Sequence, residues 1–247
     1  MGAKCKKIFS YLAILLLITV ASCKQELATL RMQVYPTWAG SSFALNTTYA
    51  TPDGKYLNFN VNKLFLSHIK LIKNDNSTVE VSTAAFIDFA SNSNVINLAA
   101  PVGDYKGIEF GIGLDTAQNH IDPAATPSDP IFGATPGMWW DASPGVPARY
   151  HLFADIEGYS GTTASLGGTF FYHVGTDSFY RSAMVSKSFS ISNGQNTALL
   201  LQADFQKLFY GTTTAVNVID EPYTHSTDAV ATAKKIADGS TQLFSLQ

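Results

Sequence analysis

The side chains best suited to hold a metal or stack on a ligand are concentrated between Gly107 and Gly175. That stretch holds three of the five histidines, His120, His151 and His173, and two of the three tryptophans, Trp139 and Trp140. Its segments read GIEFGIGLDTAQNHIDP, GMWWDASPGVPARYHLFADIEG and FFYHVGT. Loops this rich in imidazole and indole are more than connectors, because a rigid scaffold lets loops carry function. His120 and His173 each fall where a predicted strand meets a loop, and strand ends distant in sequence converge at one end of a sandwich. Imidazole suits copper, zinc and nickel, and copper binds most tightly in the divalent series. Each histidine also has a plain reading as a hydrogen-bonded structural residue, and the residues alone leave both open.

Other chemistries have weaker support. Asp115, Asn119 and Asp122 could offer oxygens to calcium, but their spacing is not that of an EF-hand loop, and a turn capped by its own Asx side chains explains them as well. Glu109 and Glu157 are candidate carboxylates for a hydrolase, with nothing in the sequence to bring them together. No G-x-S-x-G elbow, P-loop or dinucleotide-binding glycine pattern is present. Trp139, Trp140 and Tyr150 suggest a second kind of function, a stacking platform in a surface module that binds glycan or protein without metal.

The first 22 residues read as a lipoprotein signal peptide. Lys4, Lys6 and Lys7 form a positive start, and Tyr11 to Val20 is an apolar run too short for a bilayer, which needs ~20 residues. Val20-Ala21-Ser22-Cys23 is similar to a bacterial lipobox, so the expectation is cleavage before Cys23 and acylation of that cysteine. Residues 23–28 are then a tether and 29–247 a single domain. Cys5 leaves with the signal, so the mature chain has no disulfide and no thiolate metal site. Three lysines leave too, and 13 basic residues against 19 acidic ones give a net charge of −6. Nucleic acid is excluded as a partner, since phosphate binding needs a basic face.

The elements that must position these residues read as short strands. Leu30, Met32 and Val34 alternate with polar residues, as a half-buried strand does. Pro52-Asp53-Gly54 predicts a hairpin between 43–50 and 55–62. Leu57, Phe59, Val61, Phe65, Ile69 and Leu71 make one face, broken at Asn62-Lys63, with His68 as a half-exposed strand histidine among Leu64, Leu66 and Lys70. Gly111 and Gly113 lie between Phe110, Ile112 and Leu114 and leave room for another group to approach. Ala183–Ile191 and Thr197–Ala203 read as a hairpin about Asn193-Gly194. A helical turn is predicted over 204–209, a helix capped by Thr227 from Asp228 to Ala237 with Gly239 just past it, and a last strand at Phe244. The fold class is all-β, a Greek-key sandwich with long loops at one end and a short C-terminal helix.

Taken in order, four pieces carry a resemblance: Phe110-Gly111-Ile112-Gly113-Leu114-Asp115, Asn119-His120-Ile121-Asp122-Pro123, Gly137-Met138-Trp139-Trp140 and Phe171-Tyr172-His173-Val174-Gly175. Leu66-Ser67-His68-Ile69-Lys70-Leu71 and the late His225 before a small helix add to it. The set resembles the MbnP-like family of copper-binding proteins, many of them exported bacterial lipoproteins. The resemblance implies a β-sandwich, copper as the bound ion, His120 and His173 as ligands, and Trp140 as the first tryptophan of a W-x-W pair. In some relatives a tryptophan is oxidised to kynurenine by a partner dihaem peroxidase, and its amine helps to hold copper. The chain departs from the pattern at Ala142, where the second tryptophan falls, at His68, where asparagine is usual, and at SPGVPARY, which replaces a shorter turn. The resulting expectation is a lipid-anchored envelope protein, at the outer membrane on its periplasmic or surface face, that binds copper for acquisition or homeostasis and has no turnover of its own.

Overall fold

The computed structural model describes residues 25–90, 94–141, 149–211 and 215–247. The segment read as a signal peptide, Cys23, Ala142 and most of the SPGVPARY segment lie outside them. The strands are β1 (Leu27–Trp38), β2 (Ser41–Ser42), β3 (Thr48–Ala50), β4 (Tyr56–Lys73), β5 (Thr78–Asp88), β6 (Val95–Pro101), β7 (Gly103–Ile112), β8 (Trp139–Asp141), β9 (Arg149–Gly161), β10 (Gly168–Gly175), β11 (Arg181–Ile191), β12 (Asn196–Asp204), β13 (Tyr223–Thr224) and β14 (Phe244–Leu246). The helices are α1 (Thr116–Asn119), α2 (Phe205–Tyr210) and α3 (Val230–Ser240). None of the described helices is long and apolar enough to cross a membrane.

The strands form the expected all-β sandwich of two sheets. In the smaller sheet β1 pairs in parallel with β12 and antiparallel with β6 and β2, and β14 lies outside β12. The larger runs β11-β7-β4-β9-β10-β13, with β3 and β5 also on β4. Leu30, Met32 and Val34 are fully buried between the layers, as their alternation requires.

β4 is longer than the sequence implies because two bulges let it cross the sheet without a break. Its register slips between Phe59 and Val61, so Leu64 and Leu66 are buried as fully as Phe65, while Val61 is only half-buried. Phe65 packs on Phe86 and His151. A second slip falls at His68, whose φ of +47° is rare for a residue with a side chain. It returns Ile69 and Leu71 to the core and leaves His68 half-exposed between Asp115 (Nε2 to Oδ2 2.8 Å) and Glu80 (Nδ1 to Oε2 3.3 Å).

The close approach expected at the two glycines is real. A β-carbon on Gly113 (φ +96°) would lie 2.5 Å from the Phe153 ring, and one on Gly111 would meet Ser67 and the Tyr180 hydroxyl. Two local expectations are corrected. The Asn193-Gly194 turn joins β11 of the larger sheet to β12 of the smaller, so it is an arch between layers and not a hairpin. The last helix starts at Val230, two residues later than predicted, because Asp228 is engaged elsewhere: it accepts from the His225 amide and pairs with the His225 ring. Gly239 lies inside that helix.

Candidate metal centre

Strand alternation builds the site. In β10, Phe170, Tyr172 and Val174 point into the core and are nearly fully buried, so Phe171 and His173 point to the outer face of the larger sheet. In β9, Ile156 faces the core and Asp155 and Glu157 share the outer face. Antiparallel register sets His173 directly opposite Asp155 and Phe171 opposite Glu157. His173 Nε2 donates to Glu157 Oε1 at 2.8 Å and lies 3.3 Å from Asp155 Oδ1. Burial disfavours the charged ring, but the two carboxylates outweigh it and raise the His173 pKa above the ordinary histidine value. The other ring nitrogen, Nδ1, is buried without a hydrogen-bond partner.

β13 runs parallel to β10, with Phe171 opposite Tyr223 and Tyr172 opposite Thr224. That pairing delivers His225 beside His173, ring centroids 5.4 Å apart. His225 Nδ1 is 2.8 Å from Asp228 Oδ2. Burial raises the Asp228 carboxyl, but its bonds with His225 hold it below the usual carboxylate range. The short hairpin of β8 on β9 lays Trp140 over both histidines, at 5.5 Å from His173 and 5.2 Å from His225. Phe171, 5.0 Å from His225, closes the cluster below. An open cleft of about 360 Å³ reaches His173, His225 and Glu157.

The other sequence candidates have partners of their own. His173 lies within β10, not at its junction with a loop. His120 follows α1, with Nδ1 2.8 Å from the Arg149 carbonyl and Nε2 3.3 Å from Asp177 Oδ1. Its contacts and those of His173 have no residue in common. His151 is buried beneath the loop before β8, its ring among Phe65, Phe132 and Trp139. Its Nε2 donates to the Ile121 carbonyl, Nδ1 is bare, and burial pushes its pKa down.

The remaining candidates hold the loops in place. Asp115 caps α1, Asn119 bridges Asp177 and the His151 amide, and Asp122 accepts from Ala124, so these oxygens act as turn caps. Tyr150 is buried with its hydroxyl on the His225 carbonyl, so it cannot stack on a ligand with Trp139 and Trp140. Glu109 pairs with Lys70 and Glu157 with His173, which separates the proposed hydrolase carboxylates.

Three residues of the cluster lie outside the sequence candidates: Asp155, His225 and Asp228. The available signals were the D-x-E alternation in β9 and the H-x-x-D spacing at 225–228.

A family model described as MbnP matches residues 27–226. Among solved structures, MbnP from Methylosinus trichosporium matches with a TM-score of 0.59 and 13% identity, over 90% of this chain and 98% of that one. A comparison with curated proteins gives no match.

Proposed function

Because the chain belongs to the MbnP family, we propose that it is a lipid-anchored envelope protein that binds copper for acquisition or homeostasis, with no turnover of its own. Family membership supports a copper-related role, and the signal-peptide pattern ending at Cys23 supports the anchor. One observation carries the ligand assignment: Trp140, His173 and His225 lie with their ring centroids 5.2–5.5 Å from one another.

Each histidine has one nitrogen held by a carboxylate, Nε2 of His173 by Glu157 and Nδ1 of His225 by Asp228. A carboxylate on the far nitrogen is the usual support of a metal-ligating imidazole, fixing the ring and raising its basicity. The nitrogens left over are His173 Nδ1 and His225 Nε2. A buried ring nitrogen without a partner costs about 1–3 kcal/mol, and a metal ion removes that cost at His173. The residues therefore fit copper, with His173 and His225 as ligands and Trp140 covering them. Trp140 is also the indole whose oxidation by a dihaem peroxidase partner would add an amine donor at this point. Imidazole ligands of this kind suit copper. His120, set against Arg149 and Asp177, supports the neighbouring loop in this reading.

The test is titration of the metal-free protein with Cu(I) in the presence of a competing chelator. Wild type should bind one equivalent, and His173→Ala and His225→Ala should each lose it. Unchanged binding in both variants would reject the assignment.

A further inference from the structure

The opposite edge of the His173 imidazole faces a different set of donors. We infer that Asp155 Oδ1, Glu157 Oε1 and His173 Nε2 form a binding site for a divalent first-row cation of the zinc or manganese class. This site does not depend on the copper reading, which uses Nδ1 of the same ring.

The three donor atoms lie within 4.8 Å of one another, with Nε2 2.8 Å from Oε1 and 3.3 Å from Oδ1. An ion with nitrogen and oxygen ligands at about 2.0–2.2 Å keeps neighbouring donors roughly 3–3.4 Å apart. The set is thus near ligand spacing already. Asp155 is only 8% exposed, and beyond the 3.3 Å ion pair with His173 Nε2 its Oδ1 makes no hydrogen bond. A buried carboxylate oxygen served by one long contact is under-satisfied and is the kind of atom a cation satisfies.

The neighbouring charge agrees. Lys63 stands opposite Asp155 on β4, where a lysine would be the natural counter-ion. Its ammonium turns instead to the Pro136 carbonyl at 3.4 Å. Among the described residues, no lysine or arginine pairs with Asp155 or Glu157. All three donors sit on paired strands, which hold them more firmly than loops would. The cleft along Glu157 and His173 leaves room for water to complete the coordination shell. Two carboxylates and one imidazole make a harder set than the pair of imidazoles, so the ion it selects is divalent.

Filling Nε2 removes Glu157 as the support of His173. Zinc and copper should therefore weaken each other, reciprocally. The experiment titrates Zn(II) and Cu(I) separately into metal-free wild type, Glu157→Gln, Asp155→Asn/Glu157→Gln and His225→Ala, with thermal melts to confirm folding. Wild type should bind one Zn(II). The carboxylate variants should weaken it roughly tenfold or more, and His225→Ala should leave it near wild type. Glu157, at the open edge, carries the test if the double variant fails to fold. The site is overturned if wild type binds no Zn(II), if the carboxylate variants bind as wild type does, or if His225→Ala loses Zn(II) with them. Failure of the copper reading looks different: Zn(II) binding stands while wild type takes no Cu(I).

Discussion

The indole of Trp140 lies on the imidazole of His225, the two rings 29° from parallel with centroids 5.2 Å apart. One comes from the β8–β9 hairpin and the other from the end of β13, so the contact pins a loop across the outer face of the larger sheet. It makes Trp140 a reporter of events at His225. Cu(I) should change the tryptophan fluorescence of the protein, and Trp140→Phe should abolish most of that change. Peptide mass spectrometry of protein from its native host should find any oxidised tryptophan at Trp140, not at Trp139. Oxidation confined to Trp139 would contradict the arrangement.

The supporting carboxylate at His225 can be tested apart from the ligand itself. Asp228→Asn should weaken Cu(I) by roughly 10–100-fold, the usual effect of losing such a partner. His68→Ala should leave affinity near wild type, since its ring is held by Asp115 and Glu80 away from the cluster. His120→Ala should do the same. Loss of Cu(I) in His120→Ala, measured by the same chelator competition, would restore His120 to the ligand set.

Two histidines give stability opposite dependences on pH. His151 is neutral in the fold because burial depresses its pKa. Its contribution is present above the unfolded value near ~6.5 and is lost as pH falls through that value toward the folded pKa, because the unfolded chain takes up the proton first. His173 is raised despite its burial, through Asp155 and Glu157. Its contribution is full below ~6.5 and is lost as pH rises through the raised pKa. Melts of metal-free protein should show the acid-side loss reduced in His151→Gln and the alkaline-side loss reduced in Glu157→Gln. Unchanged profiles in both variants would refute these roles.

Gly113→Ala should destabilise by about 1–3 kcal/mol. The left-handed backbone and the Phe153 ring 2.5 Å from the added carbon both oppose it. Urea denaturation should show a lower midpoint at an unchanged slope.

Cys23→Ser should release the protein from membranes into the soluble fraction, because a single acylated cysteine is the one membrane device read from the sequence. Retention of the variant in the membrane pellet would end the lipoprotein reading.

Much of the fold was legible in the sequence because sheet alternation is a local signal. Leu30, Met32 and Val34 show it, as does the run FFYHVG. The bulge after Phe59 and the one at His68 were not legible, since each inserts a residue without leaving a mark in the hydrophobic pattern. They are also what buries Leu64 and Leu66 alongside Phe65. At the site, Trp140 and His173 stood out by residue type. Asp155 and Asp228 did not, because carboxylates are common on outer faces, and only the β9–β10 register and the turn after β13 give these two a partner. His225 required the parallel pairing of β13 with β10, which no local pattern announces.

Pairing of strands distant in sequence also bears on how fast the chain folds. β1 is the first described strand, and its parallel partner β12 aligns Thr29 with Asn196. As the chain is made, β1 can find β6 early but keeps one bare edge until most of the sequence has followed. Long-range parallel pairings of this kind raise contact order and slow folding, and an open apolar edge is a template for aggregation while it waits. Holding chaperones should therefore matter most to the newly made protein, and truncations that remove β12 should yield insoluble chains, not a smaller stable domain.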